Sequence, residues 1–170
     1  ASGPRSAMPH ATPSDRRLEA GEPIVIDIGA RYEGYHSDLT RTVWLDKIKK
    51  PQVLEIFEIA EKAQAAAIEA LRPGMTGAEV DAVARDLVAE AGYGDFFGHG
   101  LGHGVGLEVH ESPTISRLGK GGVEPGMVFT VEPGIYIPGV GGVRIEDMIV
   151  VTDEGCRKLT NSPHRPEINP

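Results

Sequence analysis

The residues of this sequence best suited to chemistry are aspartates set in apolar segments. Asp27 lies between Ile26 and Ile28, and Asp38 follows in the next β-rich run. If the intervening turn centres on Tyr32-Glu33, the two aspartates lie directly opposite each other in a hairpin. Like charges in that position destabilise a sheet, and unpaired buried carboxylates are costly. A register slip would leave one aspartate in solvent, but two facing aspartates among apolar neighbours favour a cation between them.

A glycine-rich segment supplies three histidines within twelve residues, His99, His103 and His110. Their spacing does not place them on one strand face by simple alternation, and the interleaved glycines permit bulges that redirect side chains. A single histidine in such a segment would more often be structural. Imidazole is a common ligand for transition metals, and histidines that bind no metal can donate hydrogen bonds to a substrate.

Two glutamates in strand-like, apolar surroundings, Glu132 and Glu146, form the third group. As hairpin partners they require a turn centred on residue 139. The turn Pro138–Gly142 centres on residue 140, so we expect a bulge that brings the glutamates opposite each other. The alternative interpretation, a surface ion pair between Glu146 and Arg144, leaves Glu132 unexplained.

Together these groups offer four carboxylates and one imidazole. Such a donor set suits two divalent ions of the manganese, cobalt or iron kind better than a structural zinc, for which thiolates are expected. Two ions roughly 3.5–4 Å apart can share bridging carboxylates and lower the pKa of a water between them. The chemistry predicted is hydrolysis of an amide.

The elements that must position these side chains are predicted to be hairpins on either side of two helices. The second helix begins with a capping-box pattern, Thr76 followed by Glu79. Both helices are expected to be amphipathic covers for a sheet, with no chemistry of their own, and the fold class is α+β. The predicted helices are Val53–Leu71 and Thr76–Ala91, and the predicted strands are Pro23–Gly29, Tyr35–Leu45, Gly100–His110, Met127–Glu132, Gly134–Ile137 and Val143–Thr152.

The composition narrows the class of protein. The 170 residues suffice for one domain with a sizeable core, and the net charge of −8 argues against a nucleic-acid partner. Cys156 is the only cysteine, so no internal disulfide can form, which is typical of a reducing compartment, and we expect a cytoplasmic protein. No apolar stretch is long enough to span a bilayer, so no membrane partner is expected. Ala1–Arg17 lacks periodicity and is typical of the interior of a longer chain.

Four ordered segments closely resemble those of the pita-bread metallopeptidases. Within that family they are most similar to the proline-specific branch, the Xaa-Pro aminopeptidases and Xaa-Pro dipeptidases (prolidases). The resemblance covers nearly the whole chain, and the segments are VIDIGARYEGYHSDLTRT, HGLGHGVGLEVHESP, TVEPGIYIPG and GGVRIEDMIVVT.

The resemblance implies a role for each predicted ligand. The motif DIG supplies Asp27, and SDLTRT supplies Asp38, which in the family bridges two metal ions. The second GHG supplies His103 as a ligand to one ion. TVEPG supplies Glu132, a ligand that is also proposed as a proton shuttle. RIED supplies Glu146, the other bridging carboxylate.

The resemblance also implies substrate-site residues and cofactors. His10 of MPH, His99 and His110 match histidines that line the site and stabilise the carbonyl oxygen or the tetrahedral intermediate. Arg144 matches an active-site arginine of the proline-specific branch. The cofactors expected are two divalent ions, Mn²⁺ or Co²⁺ before Zn²⁺ or Fe²⁺.

The fold implied by the resemblance is a curved antiparallel sheet backed by helices. The family's catalytic domain normally begins with a further helix pair before the segment that matches Ser2–His10, and this sequence lacks that pair. Residues 1–170 are therefore expected to be a single, N-terminally truncated catalytic domain, part of an enzyme that is a homodimer when complete. The strands that begin near Gly21 should then expose apolar surface.

The function implied is release of an N-terminal residue that precedes proline, from a peptide substrate with proline at the second position. Methionine aminopeptidase, with the same ligands, is the nearest enzyme alternative, but RTVWL and GIYIPGVGGVRIED favour the proline-specific branch. The other alternative is a non-catalytic interaction module. Such family members usually lack some ligands, and this sequence lacks none.

Overall fold

The computed structural model describes residues 1–164 and 166–168. Within them, two α-helices lie between two groups of strands, and short 3₁₀ turns occur at Gly3–Ala7 and Gly94–Phe96. The helices are α1, Pro51–Ala70, and α2, Gly77–Glu90. The strands are β1 Ile24–Ile28, β2 Arg31–Tyr32, β3 Tyr35–His36, β4 Leu39–Leu45, β5 Gly102–Gly104, β6 Glu111–Ile115, β7 Val128–Val131, β8 Gly134–Ile137, β9 Gly141–Arg144, β10 Asp147–Val151, β11 Cys156–Lys158 and β12 Glu167–Ile168.

Two sheets and two hairpins hold these strands. The larger sheet has the antiparallel order β11-β10-β7-β5-β6. In the smaller sheet, β4 pairs antiparallel with β1 on one side and parallel with β12 on the other. The hairpins are β2–β3 and β8–β9. The α+β class predicted from the sequence is confirmed.

The two helices pack against each other and cover the core. α1 begins at Pro51, where the missing amide hydrogen of proline costs no helical hydrogen bond. At the start of α2 the predicted capping box is present, because Thr76 accepts from the Glu79 amide and the Glu79 carboxylate accepts from the Thr76 amide. The fully buried side chains include Ile56 of α1, Val80 of α2, Phe129 of β7 and Ile135 of β8.

The N-terminal segment is more ordered than its sequence predicts. Its first amine donates to the Val25 carbonyl at 2.8 Å, and Ser2 forms a β-bridge with Ile24. The Ser6 hydroxyl accepts the amide of Gly142 at 2.8 Å. These contacts fix the segment against β1 and β9, so that the residues after it reach the candidate site.

The first predicted strand is buried only at its beginning. Ile24 and Val25 are buried, whereas Ile26 and Ile28 are 42% and 58% exposed. The apolar exposure expected for strands that begin near Gly21 is therefore present. The predicted strand Gly100–His110 is also shorter, because only Gly102–Gly104 pairs as β5 and the chain then bends.

The sequence reasoning missed the strands β2, β6, β11 and β12. No helix in residues 1–164 and 166–168 is long and apolar enough to cross a membrane.

Candidate metal centre

Three of the predicted ligands lie within one small volume. Asp38, His103 and Glu146 each offer a donor atom, and these atoms all lie within 4.8 Å of one another. His103 Nε2 is 3.7 Å from Asp38 Oδ2. Asp38 precedes β4, His103 lies in β5 and Glu146 lies between β9 and β10. The group is therefore assembled from elements far apart in the chain.

Glu132 adjoins the same group. Its Oε1 lies 3.3 Å from His103 Nε2. The Thr130 hydroxyl donates to that Oε1 at 3.0 Å and accepts the His103 amide at 3.1 Å. One threonine thus links two predicted ligands.

Glu132 and Glu146 lie opposite each other, but without the predicted bulge. The pairing of β8 with β9 continues the register in which β7 pairs with β10. Glu132 and Glu146 are opposite each other between these two paired segments. This register centres the turn on Gly139, whose φ of 78° is one that glycine adopts readily. The prediction of a turn centred on residue 140 was wrong.

Between these paired segments the glutamate amides pair with other strands. Glu132 donates its amide to the Leu101 carbonyl at 2.8 Å, and Glu146 donates its amide to the Thr40 carbonyl at 3.0 Å. The backbone at each glutamate is therefore held by a neighbouring segment outside the hairpin, and this fixes the point from which each carboxylate extends.

The prediction that Asp27 lies directly opposite Asp38 was wrong. Asp27 pairs with Thr40, and Asp38 lies beyond the last pair of the ladder. The cause is the turn, which centres on Glu33-Gly34, where φ is 49° and 93°. Positive φ at both central residues is the requirement of a type I′ hairpin turn, for which glycine is suited. Asp27 is also half-exposed, not buried.

Asp27 and Asp38 nevertheless face the same cavity. Side chains alternate along a strand, so Asp38 has the same orientation as Thr40, the partner of Asp27. The two aspartates are therefore diagonal neighbours. Their shared cavity has a volume of about 490 Å³ and is lined by all nine predicted site residues: His10, Asp27, Asp38, His99, His103, His110, Glu132, Arg144 and Glu146.

Arg144 brings a guanidinium group into this cavity. It donates to Asp27 Oδ2 at 2.6 Å and to the Tyr136 hydroxyl at 2.9 Å. Its Nε lies 3.9 Å from Glu132 Oε2. Because Arg144 and Glu146 are both buried, the alternative of a surface pair between them is wrong.

The histidines take different positions. His99 Nδ1 faces the Gly100 carbonyl at 2.7 Å, and its Nε2 lies 2.9 Å from the Tyr136 hydroxyl. The His103 and His110 rings have their centroids 4.2 Å apart. His10 is exposed at the edge of the cavity.

The orientation of His103 is one that suits a metal ligand. Its Nδ1 faces the Gly104 carbonyl at 3.1 Å, so the neutral ring carries its proton there. The lone pair of Nε2 is then directed at Asp38 and Glu132. Histidines that bind metals commonly donate their second ring nitrogen in this way.

The proton affinities also fit a cation site. Burial and the charges of Glu132 and Asp38 raise the pKa of Glu146 to about 8. Burial lowers the pKa of His103, but the hydrogen bonds to Glu132 and the Gly104 carbonyl, together with the charges of Glu132 and Asp38, outweigh burial and raise that pKa to about 9. Burial and the charge of Asp27 raise the pKa of Asp38. Against burial, the contacts of His103 and the charge of Arg144 lower the pKa of Glu132. A carboxyl that holds its proton when no cation is near, Glu146, thus lies among other carboxylates and beside one imidazole, which matches the oxygen-rich donor set of a divalent metal centre.

Sequence reasoning missed several residues that support the site. Thr40 donates to Glu146 Oε2, and Thr130 contacts Glu132, as described above. Each threonine lies two residues from a predicted ligand, which places it on the same strand face, and this spacing was a usable signal. Tyr136 had no comparable signal, since it is one more apolar residue in a buried strand.

Helix α1 contributes as well, although it was expected to carry no chemistry. Its buried Gln64 donates to the carbonyls of Val131 at 3.1 Å and Ile145 at 3.3 Å. These are the residues directly before Glu132 and Glu146. A polar residue on the buried face of a helix was the only sequence signal.

Known proteins resemble this chain over nearly its whole length. Residues 1–153 match metallopeptidase family M24. The chain is 52% identical to an Xaa-Pro dipeptidase of Pyrococcus furiosus over 162 residues, which are 95% of this chain and 46% of that protein.

Solved structures agree in fold. The Xaa-Pro dipeptidase from Bacillus anthracis superposes with a TM-score of 0.96 and is 48% identical, with 99% of this chain and 47% of that chain covered. The X-Pro aminopeptidase from Thermotoga maritima superposes with a TM-score of 0.95 at 47% identity, again over 99% and 47%. The pita-bread fold is confirmed. The chain spans about half the length of the relatives it matches.

Proposed function

This chain belongs to metallopeptidase family M24, and on that premise we propose that it carries the active site of an enzyme that hydrolyses the bond between an N-terminal residue and proline. The observation that carries the proposal is the convergence of Asp38, His103 and Glu146 in a cavity that also contains Arg144. Relatives about half identical to the chain are named for action on Xaa-Pro peptides.

The residues proposed to hold the metals are the five predicted ligands. Asp38 and Glu146, whose donor atoms lie close together, would hold the ions through their carboxylates, and His103 would contribute the nitrogen. Glu132 and Asp27, which line the same cavity, would complete the set. Two divalent ions there, Mn²⁺ or Co²⁺ in our proposal, would lower the pKa of a water and polarise the substrate carbonyl.

The remaining residues act on protons and on the substrate. Glu132 is proposed as proton shuttle, because its partly buried carboxylate is oriented by Thr130 and lies beside His103. His110, whose ring lies next to that of His103, is proposed to donate to the carbonyl oxygen of the substrate.

Binding of the substrate is assigned to Arg144, His99 and His10, which line the same cavity. Arg144 supplies positive charge there. The homodimer expected of the complete enzyme stays a prediction.

The test is hydrolysis of four peptides by the manganese-loaded protein: Ala-Pro, Ala-Pro-Ala, Met-Ala and Ala-Ala. We expect cleavage of the two peptides with proline second and little of the others. The ratio between the first two distinguishes a dipeptidase from an aminopeptidase. Preferred cleavage of Met-Ala would point to methionine aminopeptidase, and metal-loaded protein that cleaves none would point to an interaction module. The control is the same assay after EDTA, which should abolish hydrolysis.

A further inference from the structure

Helix α2 contains a buried ion pair that the ligand set does not use. The guanidinium of Arg85 donates twice to the carboxylate of Asp81, from Nε at 2.6 Å and from Nη2 at 2.8 Å. Arg85 is 8% exposed and Asp81 is 1% exposed. A paired, bidentate geometry of this kind is rigid, and α2 was expected to be only a cover for the sheet.

The pair also holds the loop that carries His99. Arg85 donates from Nη1 to the Phe97 carbonyl at 2.9 Å and from Nη2 to the His99 carbonyl at 2.7 Å. Asp81 Oδ1 accepts the Leu101 amide at 2.9 Å. The Arg85–Asp81 pair thus binds the backbone of Phe97, His99 and Leu101, which are every second residue of one five-residue loop.

A second connection runs through aromatic rings. The Arg85 guanidinium carbon lies 4.1 Å from the centre of the Phe97 ring. That ring meets the His99 ring edge-on, with centroids 5.2 Å apart and an interplanar angle of 81°. Phe97 is buried, so it cannot turn away into solvent. The stack therefore limits the rotation of the His99 ring.

The state of His99 depends on this placement. Its Nδ1 faces the Gly100 carbonyl and must carry a hydrogen, so in the neutral ring Nε2 accepts from the Tyr136 hydroxyl. Burial lowers the pKa of His99, which favours that neutral ring. Both contacts require the His99 backbone to stay where Arg85 holds it.

We propose that Arg85, paired with Asp81, is a positioning residue that fixes the ring orientation and the tautomer of His99 in the active-site cavity. Its importance for turnover rests on the proposed function. Its effect on His99 does not, so the two can be tested separately.

The first test is a ¹⁵N–¹H NMR measurement of the His99 ring in the full chain. We expect one Nδ1–H tautomer in the wild type and a mixture of tautomers in Arg85→Lys. The single ammonium group of lysine cannot donate at once to the Asp81 carboxylate and to both loop carbonyls, as the planar guanidinium does. The control is Arg72→Lys: Arg72 also donates to backbone carbonyls, at the end of α1, but does not touch the loop. An unchanged His99 spectrum in folded Arg85→Lys would overturn the proposal.

A second variant covers failure of Arg85→Lys to fold. Asp81→Asn keeps Arg85 and the size of Asp81 and removes the charge that orients the guanidinium. We expect the same mixture of tautomers, and a single Nδ1–H tautomer in folded Asp81→Asn would then count against the proposal.

The kinetic test is a double-mutant cycle with Ala-Pro as substrate. Arg85→Lys should lower kcat about 10–100-fold, the scale for a displaced active-site group. In a His99→Ala background it should have an effect of no more than about twofold, because residues that act through one another are not additive. An equal loss in both backgrounds would make Arg85 a residue of the fold alone. If the wild type cleaves no Xaa-Pro peptide, the proposed function fails, while the NMR result still decides the positioning role.

Discussion

Thr40 and Glu146 are joined twice across the candidate metal centre. The Thr40 hydroxyl donates to Glu146 Oε2 at 2.5 Å, and the Glu146 amide donates to the Thr40 carbonyl at 3.0 Å. The hydroxyl also accepts from Arg144 Nε at 3.3 Å. Because its only hydrogen is given to Glu146, Thr40 fixes which lone pairs of that carboxylate remain for a cation.

Thr40→Val should therefore weaken metal binding without removing a ligand. Valine keeps the volume of the fully buried threonine but not the hydroxyl. We expect about 10-fold to 100-fold weaker Mn²⁺ binding, the usual effect of losing a partner that orients a ligand. Thr40→Ser is the matched control and should bind close to wild type. Equal affinities of the valine and serine variants, measured by calorimetric titration, would contradict this role.

Metal affinity should rise with pH. In the metal-free protein the pKa of Glu146 is about 8 and that of His103 about 9, so near neutral pH both groups hold protons that a metal must displace. Below these pKa values, affinity should fall about tenfold for each pH unit and each proton displaced. Titration at pH 6, 7 and 8 in buffers of different ionisation enthalpy counts the protons released. Metal binding that is independent of pH, with no release of protons, would show that Glu146 and His103 are already deprotonated in the metal-free protein.

Asp147 should contribute stability that is lost in acid. Burial alone would raise the pKa of this carboxyl, but hydrogen bonds from His164, Arg41 and Lys158 hold it well below its usual range. Since the folded pKa is lowered, the contribution is complete above the ordinary value of about 4 and disappears as pH falls through the folded pKa. Asp147 thus ties β10, and with it Glu146, to β4 and β11.

The test of Asp147 is urea unfolding of Asp147→Asn in EDTA at pH 7, 4 and 3. We expect a loss of about 3 kcal/mol in the free energy of unfolding at pH 7, since the buried guanidinium of Arg41 then lacks the negative charge that it is paired with. The loss should shrink at pH 3. Asp153→Asn, at an exposed aspartate, is the control and should change little. A loss that is the same at every pH would show that the charge of Asp147 is not the cause.

The sequence contained the chemistry of the site but not all of its geometry. The nine residues chosen from type, spacing and resemblance all line one cavity, because motifs far apart in the chain fold into adjacent strands. The pairing of Asp27 was missed because register depends on which two residues take positive φ. When the turn shifts by one residue, to Glu33-Gly34, the partner of each residue in the hairpin changes by two positions, so that Asp27 pairs with Thr40.

Supporting contacts were harder to predict than ligands. The threonines at 40 and 130 follow from strand alternation, but Gln64 and Arg85 lie on helices whose apolar pattern indicates only burial. Their partners are backbone carbonyls on distant strands and loops. A carbonyl has no sequence signature, so such contacts appear only once the fold is known.

His103 and His110 should differ in kind although their rings are neighbours. His103→Ala should lose metal, because Nε2 of that ring is directed at Asp38 and Glu132. His110→Ala should keep its metal and lose turnover by roughly 10²–10³-fold, as for a lost donor to the carbonyl oxygen. Elemental analysis and peptide assays of both variants make the comparison. Equal metal loss in the two would make His110 a ligand as well.

Calorimetric titration of the metal-free chain with Mn²⁺, wild type beside Asp38→Asn, tests whether the cavity binds two metal ions. Asparagine keeps the size of Asp38 and removes a negative charge proposed to hold both ions. We expect two ions per wild-type chain, and in Asp38→Asn a loss of tight binding with turnover lowered by orders of magnitude. Two tightly held ions and normal turnover in Asp38→Asn, or no more than one ion in the wild type, would contradict this expectation.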